Sequence, residues 1–68
     1  MKKRSVKIMG HLTSVSLEEE FWAEIRRIAA AEKLSLNGFI AKIDAAKGAH
    51  NLSSALRLYV LNNLKSMR

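Results

Sequence analysis

Residues His11–Trp22 read HLTSVSLEEEFW, and the two halves of this stretch follow different patterns. In the first half every second residue lies on one face, so that Thr13, Val15 and Leu17 share a side. Strict alternation in a run rich in Thr and Val predicts a strand. The second half is acidic and then aromatic, which is typical of the first turn of a helix. We therefore expect a strand over about residues 11–17 that leads directly into a helix.

Three amphipathic helices are predicted after this strand, because apolar residues recur in steps of three and four. Their expected bounds are about residues 18–33, 36–47 and 52–66. Ser16 and Glu19 have the spacing of a capping box at the first helix. Ser35 and Asn51 are N-cap candidates for the second and third helices, and Gly48 is a C-cap candidate for the second. The apolar face of the first helix comprises Phe21, Trp22, Ile25, Ile28 and Ala29. That of the second comprises Leu36, Phe39, Ile40 and Ile43, and that of the third comprises Leu52, Ala55, Leu56, Tyr59, Val60 and Leu64.

Length and composition limit the function. The chain has 68 residues, 12 Lys and Arg against 6 Asp and Glu, and no Cys. We expect one domain over residues 11–68, preceded by a mobile basic arm over residues 1–10. A charge of +6 favours a polyanionic partner. No metal site, cofactor, small-molecule ligand, membrane span or catalytic set is expected from the residue pattern. A signal peptide is not expected either, so the predicted location is the cytoplasm.

The strand has no convincing partner in the sequence, and a lone strand leaves both backbone edges unpaired. The simplest solution is a twofold dimer in which the strand pairs antiparallel with its copy and rests on the helices. The residues then expected in a core shared by both chains are Val15, Leu17, Trp22, Ile25, Ile40 and Ile43.

The outer face of such a ribbon would carry Leu12, Ser14 and Ser16, and the major groove of B-DNA admits a two-stranded ribbon. We predict that these three residues contact bases. The N-terminus of the second helix is suited to a phosphate, because its first N–H groups lack intrahelical acceptors. Predicted phosphate contacts are Ser35, Leu36 and Asn37 there, and Lys2, Lys3, Arg4 and Lys7 in the arm.

The order strand, helix, LSLN turn, helix resembles the ribbon-helix-helix DNA-binding superfamily of the Arc and MetJ type. More narrowly, GH-x-TSVSLE-x-x-FW with LSLN and NLSSALR resembles a short, stand-alone bacterial subgroup of that superfamily. The resemblance implies a mainly α homodimer with an intertwined antiparallel ribbon, and a nucleoid-associated transcriptional regulator that inserts the ribbon into the major groove. It assigns base contacts to Leu12, Ser14 and Ser16. The first reading position is usually polar or basic in this family, whereas here it is Leu12.

Two other functions stay open on the sequence alone. Helices 1 and 2 could form a helix-turn-helix, although the polar face of helix 2 offers few base-reading side chains. Alternatively, helix 3 could bind a protein, as in an antitoxin-like or oligomerising adaptor, or could join dimers into a higher order assembly. Leu58 and Leu61 lie off its predicted core face and would form that surface.

Overall fold

The computed structural model describes residues 1–48 and 50–67. Two strands are followed by three helices, in the order β1, β2, α1, α2, α3. Their bounds are Lys2–Ile8, His11–Leu17, Glu19–Ala31, Leu36–Ala46 and Leu52–Ser66. The strand and helices expected from the sequence thus lie within two residues of their expected bounds, and β1 was not expected.

β1 is the partner strand of β2, so the interpretation of β2 as a lone strand is wrong. The two strands pair antiparallel along their whole length, from Lys2 opposite Leu17 to Ile8 opposite His11. Met9 and Gly10 alone join them, with φ angles of 50° and 83°. Two positive φ values in a two-residue loop define a type I′ turn, whose twist matches that of a hairpin. The segment expected to be a separate mobile arm is therefore half of an intramolecular ribbon.

Two helices begin at the expected caps, and one does not. The Ser35 side chain accepts a hydrogen bond from Gly38 N at 3.0 Å, and Asn51 caps α3 in the same way. The expected capping box at α1 does not form. Ser16 remains in β2, and Glu18 is the N-cap without a side-chain capping bond. The reason is that β2 extends to Leu17, which holds Ser16 in the pleat of the sheet.

The hydrophobic core lies between the inner face of the ribbon and the three helices. Its buried members are Val6, Ile8, Val15, Leu17, Trp22, Ile25, Ile28, Ala29, Phe39, Ile40, Ile43, Ala55, Leu56 and Val60. All six residues expected in a shared dimer core are thus buried within one chain, and covering them requires no second chain. Leu64, in the last turn of α3, was expected on the core face but is 44% exposed.

Candidate nucleic-acid interface

One face of the ribbon packs on the helices and the other faces solvent. Opposite residues of an antiparallel pair point to the same side of the sheet, so the register fixes the members of each face. The solvent side carries three cross-strand pairs, which we call the ribbon face: Lys3 with Ser16, Ser5 with Ser14, and Lys7 with Leu12. The three residues predicted to contact bases therefore lie together on one open surface. Leu12 is 78% exposed.

Sequence reasoning missed the contribution of β1 to this surface. Ser5 was not predicted as a functional residue, and Lys3 and Lys7 were assigned to an arm rather than to fixed positions beside Ser16 and Leu12. A signal was available in the sequence. Val6 and Ile8 alternate with Ser5 and Lys7, and Gly10 lies between this alternation and that of β2.

The charge of the ribbon face is positive and uncompensated. Both strands lie before Glu18, the first acid of the chain. Five of the six acids form ion pairs elsewhere, with Lys2, Arg27, Lys42, Lys47 and Arg57. Neither Lys3 nor Lys7 forms an ion pair within residues 1–48 and 50–67. The acids of this basic chain are thus largely neutralised at the helices, while the ribbon face keeps its positive charge.

The other two basic residues of β1 lie on the inner side of the ribbon. The Arg4 guanidinium stacks over the Trp22 ring at 5.7 Å from its centroid, and Arg4 Nε is buried with no hydrogen-bond acceptor in the described chain. Lys2 lies 3.9 Å from the Glu19 carboxylate. The predicted phosphate-contacting set of the arm is therefore divided. Lys3 and Lys7 face outward, whereas Lys2 and Arg4 face the helices.

Two of the three residues predicted to bind phosphate at α2 already use their side chains within the chain. Ser35 caps the helix. The Asn37 amide brackets the backbone of Lys7 in β1: its Oδ1 accepts from Lys7 N at 3.0 Å, and its Nδ2 donates to Lys7 O at 2.6 Å. The backbone N–H groups of Leu36 and Asn37 are in the first turn and have no intrahelical acceptor. Any anion at this end of α2 would therefore meet backbone groups rather than the Asn37 amide.

The two outer edges of the ribbon differ. A two-residue hairpin closes on a hydrogen-bonded pair, so the next residues, Lys7 and Leu12, direct their backbone groups outward. On the β1 edge, those of Lys7 are taken by Asn37. On the β2 edge the same alternation exposes the backbone groups of Leu12, Ser14 and Ser16. The single contact found there in the described chain, from Ser53 Oγ to Ser16 O at 3.5 Å, is too long for a strong bond.

Polar contacts fasten α3 to the rest of the fold. Arg57 donates two hydrogen bonds to Glu18 Oε1, at 3.1 and 2.9 Å. The backbone N–H of Glu18 and then this guanidinium hold the pKa of the Glu18 carboxyl below its usual value. The Glu32 carboxylate accepts from Lys42 and from the Tyr59 hydroxyl, which lowers the pKa of Glu32 and raises those of Lys42 and Tyr59. α3 is thereby an integral layer of the domain.

α3 also presents an apolar row to solvent. Leu58, Leu61 and Leu64 are 44%, 47% and 44% exposed. Leu58 and Tyr59 border a cavity of about 250 Å³ between α2 and α3. The two residues predicted for protein binding, Leu58 and Leu61, are therefore on the surface.

No group of three or more potential metal ligands occurs in the part of the chain that the structure describes. None of its described helices has the length and apolar character needed to cross a bilayer.

A model of the ribbon-helix-helix domain family matches residues 1–64. The match includes β1 as well as β2 and extends through most of α3. No match was found among the curated proteins or among the solved structures. Proteins with this domain are generally DNA-binding regulators or antitoxins, and the family is not enzymatic.

Proposed function

The chain belongs to the ribbon-helix-helix family, and from this premise we propose that it is a DNA-binding transcriptional regulator that acts as a homodimer. The observation that carries the proposal is the ribbon face, which combines two unpaired lysines with three serines and contains no acid. Hydroxyls can donate to or accept from base edges, and a Leu can lie against a thymine methyl group. This composition suits the major groove of double-stranded DNA. We place the protein in the cytoplasm, at the nucleoid.

The dimer forms through the free edge of β2. Asn37 blocks the β1 edge at Lys7, whereas the backbone groups of Ser14 on the β2 edge have no partner in the described chain. Unpaired strand edges favour pairing with another chain. Pairing of β2 with its copy about Ser14 overlaps all seven residues and keeps Val15 and Leu17 of both chains on the inner side. The result is a four-stranded antiparallel sheet in the order β1–β2–β2–β1.

A pair of single-cysteine variants tests this arrangement, because the chain has no Cys of its own. In a hydrogen-bonded antiparallel pair, opposite Cα atoms are about 5.5 Å apart, within the range of a disulfide. Ser14→Cys should therefore form a covalent dimer under mild oxidation. The matched control is Ser5→Cys, the cross-strand partner of Ser14. Two β1 strands would be about 14 Å apart, three strand spacings, which is too far for a disulfide. Cross-linking of Ser5→Cys instead of Ser14→Cys would refute pairing through β2.

Fluorescence anisotropy with a labelled random-sequence duplex tests DNA binding directly. We expect saturable binding that weakens as salt is raised, because phosphate contacts release counterions. Selection of bound duplexes from a random pool should return a pseudo-palindrome, since a twofold protein matches a twofold site. Sequence preference should change in Ser14→Ala and stay unchanged in Lys42→Ala. Lys42 lies on α2, where a helix-turn-helix protein would read bases, but its ammonium is already bound by Glu32.

An exposed apolar row on α3 supports a second candidate function, an antitoxin-like or oligomerising protein contact through Leu58 and Leu61. This candidate is tested by using the protein to capture binding partners from a lysate that has been treated with nuclease. Partners that survive nuclease and are lost in Leu58→Glu would favour protein binding over DNA binding as the main role.

A further inference from the structure

The intramolecular hairpin changes how the ribbon meets DNA. A two-stranded ribbon has one strand spacing between its axes, about 4.8 Å. The four-stranded sheet proposed above has three spacings, so its outer strands lie about 14 Å apart. The major groove is about 12 Å wide. A sheet of this width cannot enter the groove flat, because its outer strands meet the walls before its centre reaches the floor.

The cross-strand register determines which side chains lie over the walls. Pairing about Ser14 places Leu12 of one chain beside Ser16 of the other. The outward side chains form three rows that run across the four strands. Each of the two outer rows begins with Lys3 of one chain and ends with Lys7 of the other. The central row has four serines, Ser5 and Ser14 from each chain. The four lysines therefore occupy the corners of the face, and the serines and Leu12 of each chain lie between them.

We propose that Lys3 and Lys7 on β1 form a phosphate-binding rail along each wall of the major groove, while β2 alone faces the bases. This inference rests on the proposed function, since it assumes DNA binding by the dimer. The groove walls are the phosphate backbones, and an ammonium on a flexible stem suits a phosphate as a point charge. β1 also holds each lysine in place. The Lys7 backbone is bracketed by Asn37, and the inner side of β1 is fixed by Val6, Ile8 and the Arg4–Trp22 stack.

The salt dependence of DNA affinity tests the rail. Each phosphate contact contributes about 0.9 to the slope of log K against log salt for duplex DNA. Lys7→Ala removes two contacts per dimer and should flatten the slope by about 1.8, and Lys3→Ala should have the same effect. Removing both side chains should flatten it by about 3.6. Lys7→Arg should leave the slope unchanged, because the charge and the Asn37 bracket are both kept.

The matched control is Lys2→Ala, which removes the same charge from the inner side of the same strand. It should change the slope by less than half a contact, and Ser14→Ala should alter sequence preference without altering the slope. Trp22 fluorescence checks that each variant is folded. Equal slopes for Lys2→Ala and Lys7→Ala, or no change in the double variant, would overturn the rail while leaving DNA binding established. Failure of the unmodified protein to bind duplex at low salt would overturn the rail and the proposed function together.

Discussion

Among residues 1–48 and 50–67, the Asn37 bracket is the one polar side-chain contact that joins α2 to the ribbon. The effect of its loss can be predicted in detail. Asn37→Ala removes two hydrogen bonds to the Lys7 backbone, of 3.0 and 2.6 Å. A typical hydrogen bond contributes about 0.5–1.5 kcal/mol net. This pair is exposed, so water replaces part of what is lost, and about 1–2 kcal/mol is expected. Alanine is the better helix former by up to about 0.7 kcal/mol, which leaves a net loss near 1 kcal/mol.

Urea unfolding followed by the single Trp measures this loss. The protomer concentration must be held fixed, because dimerisation couples stability to concentration. The control is Asn62→Ala on the solvent side of α3. Asn62 forms no side-chain hydrogen bond in the described structure, so this variant gains helix propensity and loses nothing. We expect the two variants to differ by about 1–2 kcal/mol. Identical unfolding midpoints would refute the view that the bracket stabilises the ribbon.

Three further predictions concern the fold. Leu56→Ala, at a fully buried position of α3, should lower the free energy of unfolding by about 2–5 kcal/mol, whereas the exposed Leu61→Ala should change it by less than about 0.5 kcal/mol in the same titration. Met9→Asn should raise the melting temperature, because Asn tolerates the positive φ of a type I′ turn. Met9→Ala is the control and should not raise it. A higher melting temperature in Met9→Ala would argue against backbone strain as the cause. In the folded protein the pKa values of Glu18 and Glu32 are lowered. As pH falls, the unfolded chain therefore takes up protons at these carboxylates before the folded chain does. The free energy of unfolding should fall as pH drops below about 4.5, the ordinary carboxyl pKa. Acid titration of a variant with Gln at both positions should show a shallower fall.

The sequence by itself determined the helices and the faces they bury. Helix formation follows from spacing within a few residues, and a cap such as Ser35 acts on an N–H only three residues away. The alternation of Thr13, Val15 and Leu17 likewise determined which side of β2 is buried, so the expected ribbon residues do lie on one solvent face. These features are local, and a local pattern contains all the information they require.

Only the tertiary structure decided what β2 pairs with. Pairing depends on a turn, and Met9 is an unusual residue for a turn that requires positive φ. The lysines of β1 also resemble a solvated arm until the register places Arg4 over Trp22 and Lys7 beside Leu12. The role of Asn37 was equally inaccessible, because its partner lies 30 residues away. The choice among distant partners is set by packing of the whole chain, and that choice moved the basic residues from a tail to fixed positions on the ribbon.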